Sequence, residues 1–484
     1  MHSPRRGLGA LALALTVLVL AAGCGSSSKS SSPSNSAPKS GRTLHVPADY
    51  ATIQAAVDAA QPGDLVLVDK GVYHEAVDVA ADTTKHTNPH DFTIRGVDRN
   101  GVVLDGQFKL ENGIRVLGAE GIVVENMTAE NYLSNGFFWT GVKRYRGSYL
   151  TAIRNGDYGI YSVDSYTGQF DHDAASGSPD AGFYIGACFR CDAVITNVIS
   201  EYNGLGYSGT NSGGDLYIVN SEFANNRAGV VPNSGSYELC YPSRETVVAG
   251  NLVHDNNYTK GGGISASLLA QGNGILLAGA VKGLVQHNRV YNHTRTGIGL
   301  VPFPEADAND VPPPSSAWGD PCSEHHQPGP GVPASQCQKI AAIGPGCVVL
   351  WNPTNNKVVD NTISKSGLVD MGEATIDLTK SGVTTEKLNN CFSNNEHTTS
   401  SPANIEALAP CTGAPTATDW STNPLDLISL MANTPSAPPK YAYRSTPLLP
   451  AQPNMPDATT APAPVFNRPM TIDVSKITTP AQPS

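Results

Sequence analysis

"DYGIY" occupies residues 157–161 and "DAGFY" occupies 180–184, so an Asp, a Gly, an apolar residue and a Tyr recur at equal offsets. The pair belongs to a longer series. A Gly followed by an apolar residue stands at 113, 136, 159, 182, 206, 229, 274 and 297, with spacings of 23, 23, 23, 24, 23, 45 and 23. A fixed period of this size marks a solenoid, in which each repeat is one coil stacked on the last. Each period also carries a Val/Ile-rich run ending in Asn: "IVVEN" at 122–126, "AVITN" at 193–197, "LYIVN" at 216–220, "LVQHN" at 284–288 and "KVVDN" at 357–361. Short β-branched runs broken by Gly and Asn read as strands and turns. The long stretches of 3.6-residue periodicity that a helical repeat needs are missing.

In a parallel stack, equal offsets lie one above another at about the 4.8 Å interstrand spacing. After each Gly, offsets +1 and +3 are apolar (Ile114/Val116, Phe137/Trp139, Phe183/Ile185, Ile275/Leu277, Ile298/Leu300) and are expected to face the core. Offset +2 then faces outward and reads Arg115, Phe138, Tyr161, Tyr184, Ser208, Val231. Phe138, Tyr161 and Tyr184 are expected to form an exposed aromatic strip, either packing coil on coil or offering a platform for sugar rings. Two places before the Gly, Asp157 and Asp180 become vertical neighbours, and the longer Gly182–Gly206 interval offers Asn203 as the next member. Stacked carboxylates repel, so such a pair retains a proton or binds a cation. Asp is also a good turn residue, and that reading stays open. The Asn series (Asn126, Asn197, Asn220, Asn288, Asn361) is read as a structural ladder. "FDHDAASGSPD", 170–180, reads as an acidic loop in which His172 is a polar turn residue or a general base.

These residues resemble the right-handed parallel β-helix family, which includes pectate lyases, polygalacturonases and alginate epimerases. The opening segment "HVPADYATIQAAVDAAQPGDLVLVDKGVYHEAVDV", 45–79, is similar to the usual start of such solenoids. Ile53, Ala56, Val57 and Ala60 share a helical face, and Pro62-Gly63 ends the helix. The expected fold is therefore all-β: a single-stranded right-handed parallel β-helix over 42–396, with a short N-terminal capping helix. Insertions at 232–272 and 302–346 break the period and are expected to border a groove. A Pro/Ala/Thr-rich extension, 397–484, either packs along the solenoid or stays loose.

The resemblance implies chemistry on an acidic polysaccharide as a lyase, epimerase or hydrolase. In that picture Asp157, Asp180 and Asn203 hold Ca²⁺, Arg227 is the base or carboxylate clamp, and Phe138, Tyr161 and Tyr184 bind the sugars. The hydrolase version uses Asp157 and Asp180 directly as catalytic carboxyls. No catalytic motif of the family stands intact. The alternative is a non-catalytic envelope scaffold that binds glycan or a partner protein.

The first 23 residues read as a targeting segment: Arg5 and Arg6, an apolar run from Leu8 to Leu20, then "LAAGC" ending at Cys24. This resembles a bacterial lipobox, which implies lipidation at Cys24 and a membrane-anchored protein facing outside the cytoplasm. Residues 24–41 form a Ser-rich tether. The chain has 31 Lys and Arg against 42 Asp and Glu, a net charge of −11; removing the segment takes two Arg and leaves −13. That balance argues against a nucleic-acid partner. A monomer is expected. The eight other Cys suggest disulfides, with Cys322–Cys337 and Cys391–Cys411 as local pairs. "CFRC" at 188–191 resembles a metal or redox motif, but without a second CxxC or paired His it does not make a zinc site.

Overall fold

The computed structural model describes residues 41–81, 88–305, 322, 348–375, 388–422 and 425–483. Three long parallel sheets run the length of the molecule, with thirteen, twelve and ten strands. Within each sheet, strands that pair are separated in sequence by the strands of the other two, so each coil contributes one strand to each sheet. The crossovers are right-handed, as twisted parallel strands require. The register is that of the Gly series: Phe137 pairs with Ile160, Ile160 with Phe183, and Ile275 with Ile298. The inward positions Ile114, Val116, Phe137, Trp139, Ile160, Phe183, Ile185, Ile275, Leu277, Ile298 and Leu300 are all buried in one continuous core.

The helix Ile53–Ala59 caps the first coil. The Thr52 side chain accepts a hydrogen bond from the Ala55 N–H, and Ile53, Ala56 and Val57 are buried on the core. At the other end the core reaches Ile405, beyond the expected boundary at 396.

The expected Asn ladder resolves into two adjacent columns. Asn126, Asn197 and Asn220 sit in left-handed bends with φ of 56°, 53° and 49°. Asn tolerates this region better than most residues. Asn288 and Asn361 stand one place further on, inside the coil. There Asn251, Asn288, Asn361 and Asn395 form a buried amide ladder. The Asn288 Oδ1 accepts from the N–H and Nδ2 of Asn251, and its own N–H and Nδ2 donate to the Asn361 Oδ1. Glu406 closes the ladder by accepting from Asn395.

Two further expectations are corrected. Residues 170–180 are not a loop: Tyr166–Asp171 and Ala174–Ser176 are strands, joined through His172 at φ 59°. His172 stacks on Tyr149, with centroids 4.6 Å apart, and its Nδ1 lies 3.0 Å from Asp171. Cys322 pairs with Cys240, not with Cys337, so the bond ties one insertion to the other. Cys337 and Cys24 lie outside the described residues. Cys188 and Cys191 form a disulfide, which removes the thiolates a metal would need, while Cys391–Cys411 is as expected.

The C-terminal extension packs along the solenoid. Arg95, Arg99, Arg144, Arg154 and Arg289 donate hydrogen bonds to the carbonyls of Ala461, Pro453, Phe466, Thr446 and Pro480 respectively. Ile477 packs on Val219 and Ala249.

The two Asn columns differ in what they hold together. Asn288→Ala strands a buried N–H and breaks the ladder, and is expected to cost about 2–4 kcal/mol. Asn220→Gly keeps the left-handed bend and should change stability by under about 0.5 kcal/mol. Urea denaturation of the two variants checks this; equal losses would contradict the division.

Candidate functional site

The outer face of the twelve-stranded sheet carries the site. Pairing places Arg115, Phe138, Tyr161, Tyr184, Ser208 and Val231 in one column, as the spacing requires. Phe138 stacks on Tyr161 at 4.7 Å and 17°. Tyr158 joins them, stacked 4.2 Å from Tyr161 with the rings nearly parallel. Tyr184 meets Tyr161 edge-on at 5.0 Å. Phe138, Tyr158 and Tyr161 are half-buried, but Tyr184 is only 1% exposed. The expected open strip is thus a shelf that runs under a roof. Arg115 is paired with Asp78 at 2.8 Å.

The roof comes from both insertions. Tyr237, Glu238 and the helix Ser265–Leu269 belong to the first; the strand Phe303–Glu305, paired antiparallel with Val349–Trp351, begins the second. With Asp180, Tyr184 and Ser208 as floor, they enclose a cleft of about 450 Å³. Glu305 joins the walls: its carboxylate accepts from the Ser236 N–H and from the Trp351 Nε1 at 2.8 Å.

Asp157 and Asp180 are vertical neighbours, the N–H of Asp180 donating to the Asp157 carbonyl at 3.1 Å. Asp180 is 8% exposed and takes a hydrogen bond from the Tyr158 hydroxyl. Burial pushes the Asp180 carboxyl up to about 8; the Tyr158 bond opposes this, and the charges of Asp157 and Glu238 add to it. Burial also raises Asp157 to about 6. The Glu238 carboxyl is pushed up to about 7 by burial, against a 2.6 Å hydrogen bond donated by the Tyr184 hydroxyl. The hydroxyls of Tyr158, Tyr161 and Tyr184 are all raised, chiefly by burial and then by these carboxylates. Near neutrality Asp180 therefore keeps its proton and the phenols stay neutral, while Asp157, beside the cleft lining, is the most readily ionised of the three raised carboxyls.

Two expected members are elsewhere. Asn203 lies inside the coil, where its Oδ1 accepts from the Ser178 N–H and its Nδ2 donates to the Ala175 carbonyl. Arg227 is 2% exposed, and its guanidinium donates to the carbonyls of Thr259, Gly261 and Gly262 and to the Gln271 Oε1. It positions the loop that becomes the cleft wall, and at 2% exposure, with four of its five N–H donors already bonded to that loop and Gln271, it does not face substrate. Without Asn203, Asp157 and Asp180 fall short of the six to eight oxygens that Ca²⁺ takes. No metal-holding group of His, Cys, Asp and Glu occurs among the described residues. The pair alone falls short of a cation site, and in its absence Asp180 holds a proton near neutrality.

Glu238 and Tyr237 were not anticipated. They stand in an aperiodic insertion, where no register assigns them a face. Tyr158 lay within the repeated pentapeptide and could have been found as the neighbour of Asp157.

The chain is a parallel β-helix. No protein-family model and no curated protein matches it. In structure it is similar to the A-module of a mannuronan C-5 epimerase from Azotobacter vinelandii, at 16% identity and TM-score 0.44, covering 71% of this chain and 90% of that one. An alginate lyase from a Paenibacillus species matches at 15% identity and TM-score 0.36, covering 53% and 90%. A rhamnogalacturonan lyase matches at 12% identity and TM-score 0.37, covering 72% and 87%.

The raised carboxyl predicts a pH signature. Asp180 binds its proton more tightly in the fold than in the unfolded chain, where its value is near 4. Its stabilising contribution is complete below about pH 4, is lost as pH rises towards about 8, and is flat above. Asp180→Asn should therefore leave stability unchanged at pH 4 and raise it by a few kcal/mol at pH 9. Thermal melts across that range check the sign.

Proposed function

We propose that this protein binds an acidic polysaccharide on the Phe138–Tyr161–Tyr158 shelf and cleaves it in the carboxyl cleft, while Cys24 anchors it to the outer side of a membrane. The observation that carries the reading is a set of three carboxyls, Asp157, Asp180 and Glu238, raised to about 6, 8 and 7 on a floor of tyrosines. A protonated carboxyl donates a hydrogen bond to a uronate carboxylate, where an ionised one would repel it. The shelf offers the half-buried rings of Phe138, Tyr158 and Tyr161, whose exposed parts give apolar surface against which a sugar can pack. The separated pKa values assign roles: Asp180 keeps a proton to give to the glycosidic oxygen, and Asp157 is the partner that ionises first. Their adjacent coils stand at about the separation a retaining pair uses. Raised phenols make poor bases, which disfavours a Tyr-based proton abstraction and favours glycosidic cleavage by carboxyls over elimination.

The charge of −13 left once the targeting segment is removed repels an anionic chain at long range, so recognition is short-range and should strengthen with moderate salt. Binding to galacturonan and mannuronan should weaken about tenfold or more between pH 6 and pH 9, as Asp180 and Glu238 ionise. Asp180→Asn imitates the protonated acid: it should keep binding, flatten its pH dependence and abolish reducing-end release. Tyr161→Ala should weaken binding about tenfold. Binding without product at any pH would leave a glycan-binding scaffold. Preference for neutral glycans, or no binding, would overturn the reading.

The anchor has its own test. Cys24→Ala should release the protein from membranes; retention through a carbonate wash would show that the lipobox resemblance misleads.

A further inference from the structure

We infer that the cleft is a blind one that takes the end of a polysaccharide chain, so that the protein recognises termini and does not straddle the middle of a polymer. The inference rests on the glycan-binding reading above and adds the mode of binding.

The outer column shows the enclosure. Arg115, Phe138 and Tyr161 are partly open to solvent. Tyr184 and Ser208 form the cleft floor and are buried under its roof. The next two members, Val231 at 4% and Leu276 at 7% exposure, are sealed. They pack with Leu205, Ala270, Val301 and Leu427 in one apolar cluster. A chain laid along the solenoid axis from Phe138 therefore meets a wall beyond Ser208.

The sides are flanked too. Glu238 and Tyr237 follow the strand Ala228–Asn233, and Phe303–Glu305 follows the strand Thr296–Val301, so these rise at the strands' C-terminal ends. Ile264 and the helix Ser265–Leu269 precede the strand Ile275–Ala278 and rise at the opposite edge. Among the described residues, the direction of Tyr161 and Phe138 is the one left without a wall.

The wall itself holds a small apolar pocket of about 60 Å³, lined by Val231, Leu269, Leu276, Leu430 and Met431 among others. It shares Asn233, Ala266, Leu269, Phe303 and Pro304 with the cleft. At about an eighth of the cleft's volume, it admits a small substituent on a terminal sugar and not a continuing chain. The carboxyls thus stand where the last linkage of the chain would lie, with the preceding sugars on the rings.

Calorimetric titration with short and long fractions of galacturonan, and of mannuronan, tests this. A blind cleft binds one protein per chain at every length. A number of proteins per chain that grows with length would overturn the inference and leave the glycan-binding reading intact. Absence of binding to all fractions would remove both. A second variant guards the result: Phe138→Ala should lower affinity for oligomers several-fold and leave that for the monouronate unchanged, because a single sugar seated at the carboxyls does not reach the shelf. An equal loss for the monouronate would place the terminal sugar on the shelf and overturn the assignment.

Discussion

Parallel stacking imposes one constraint from which the rest follows: each coil must return to the same height and register as the coil beneath it. Every strand hydrogen-bonds to the equivalent strand above and below, so a residue's offset within its coil decides which side chains it touches. Inward offsets must be apolar in coil after coil, which is why Ile114, Phe137, Ile160 and Phe183 form one vertical file of the core. The same constraint brings Asp157 under Asp180, although like charges there are costly. The fold tolerates them by letting protons remain.

Desolvation does the rest of the work at the site. On a bare coil surface Asp180 would behave as an ordinary turn residue. The insertions cover it, and the ion loses the water that stabilised it. Arg227 contributes without touching the site: its guanidinium, buried among three loop carbonyls and Gln271, holds the covering loop in place. A buried guanidinium without a carboxylate is costly unless its donors find partners, and here three loop carbonyls and Gln271 take four of the five. The cleft's chemistry and the wall's position are consequences of the same burial.

Periodic features were legible in the sequence. The Gly spacing placed the inward apolar files, the Asp pair and the stacked rings, and the face of Ile53, Ala56 and Val57 with the Pro62-Gly63 stop placed the capping helix. Features finer than one residue were not: Asn220 and Asn288 end similar strings, "YIVN" and "VQHN", yet one is a left-handed bend and the other a buried ladder residue. The single step between them separates two columns with different partners. Asn203 was misplaced for the same reason, since the extra residue before Gly206 shifts it into the interior. Aperiodic features were not legible at all. Glu238 and the Cys240–Cys322 bond lie in insertions, where contacts are set by how two loops fold on each other and no repeat reports it.

The C-terminal extension shows what composition leaves open when a partner is left out. A Pro- and Thr-rich segment does not by itself reveal whether it packs, because Pro lacks an N–H and cannot enter a strand ladder. Its carbonyls remain, each able to accept two hydrogen bonds. The solenoid offers donors in kind: Arg95, Arg99, Arg144, Arg154 and Arg289 reach from the coils to tail carbonyls. Arg95 is itself fixed by Glu125, buried at 2.8 Å, so the donor is already oriented before the tail arrives. A chain poor in donors is thus matched to a surface rich in them. From Ala458 to Met470 the matching lies over the thirteen-stranded sheet, at Arg95, Arg144 and Gln169, while the carboxyl cleft opens on the twelve-stranded one. This part of the tail therefore braces the coils away from the carboxyls, while its earlier stretch, Leu427 to Met431, packs on the twelve-stranded sheet and helps to build the wall at the end of the cleft.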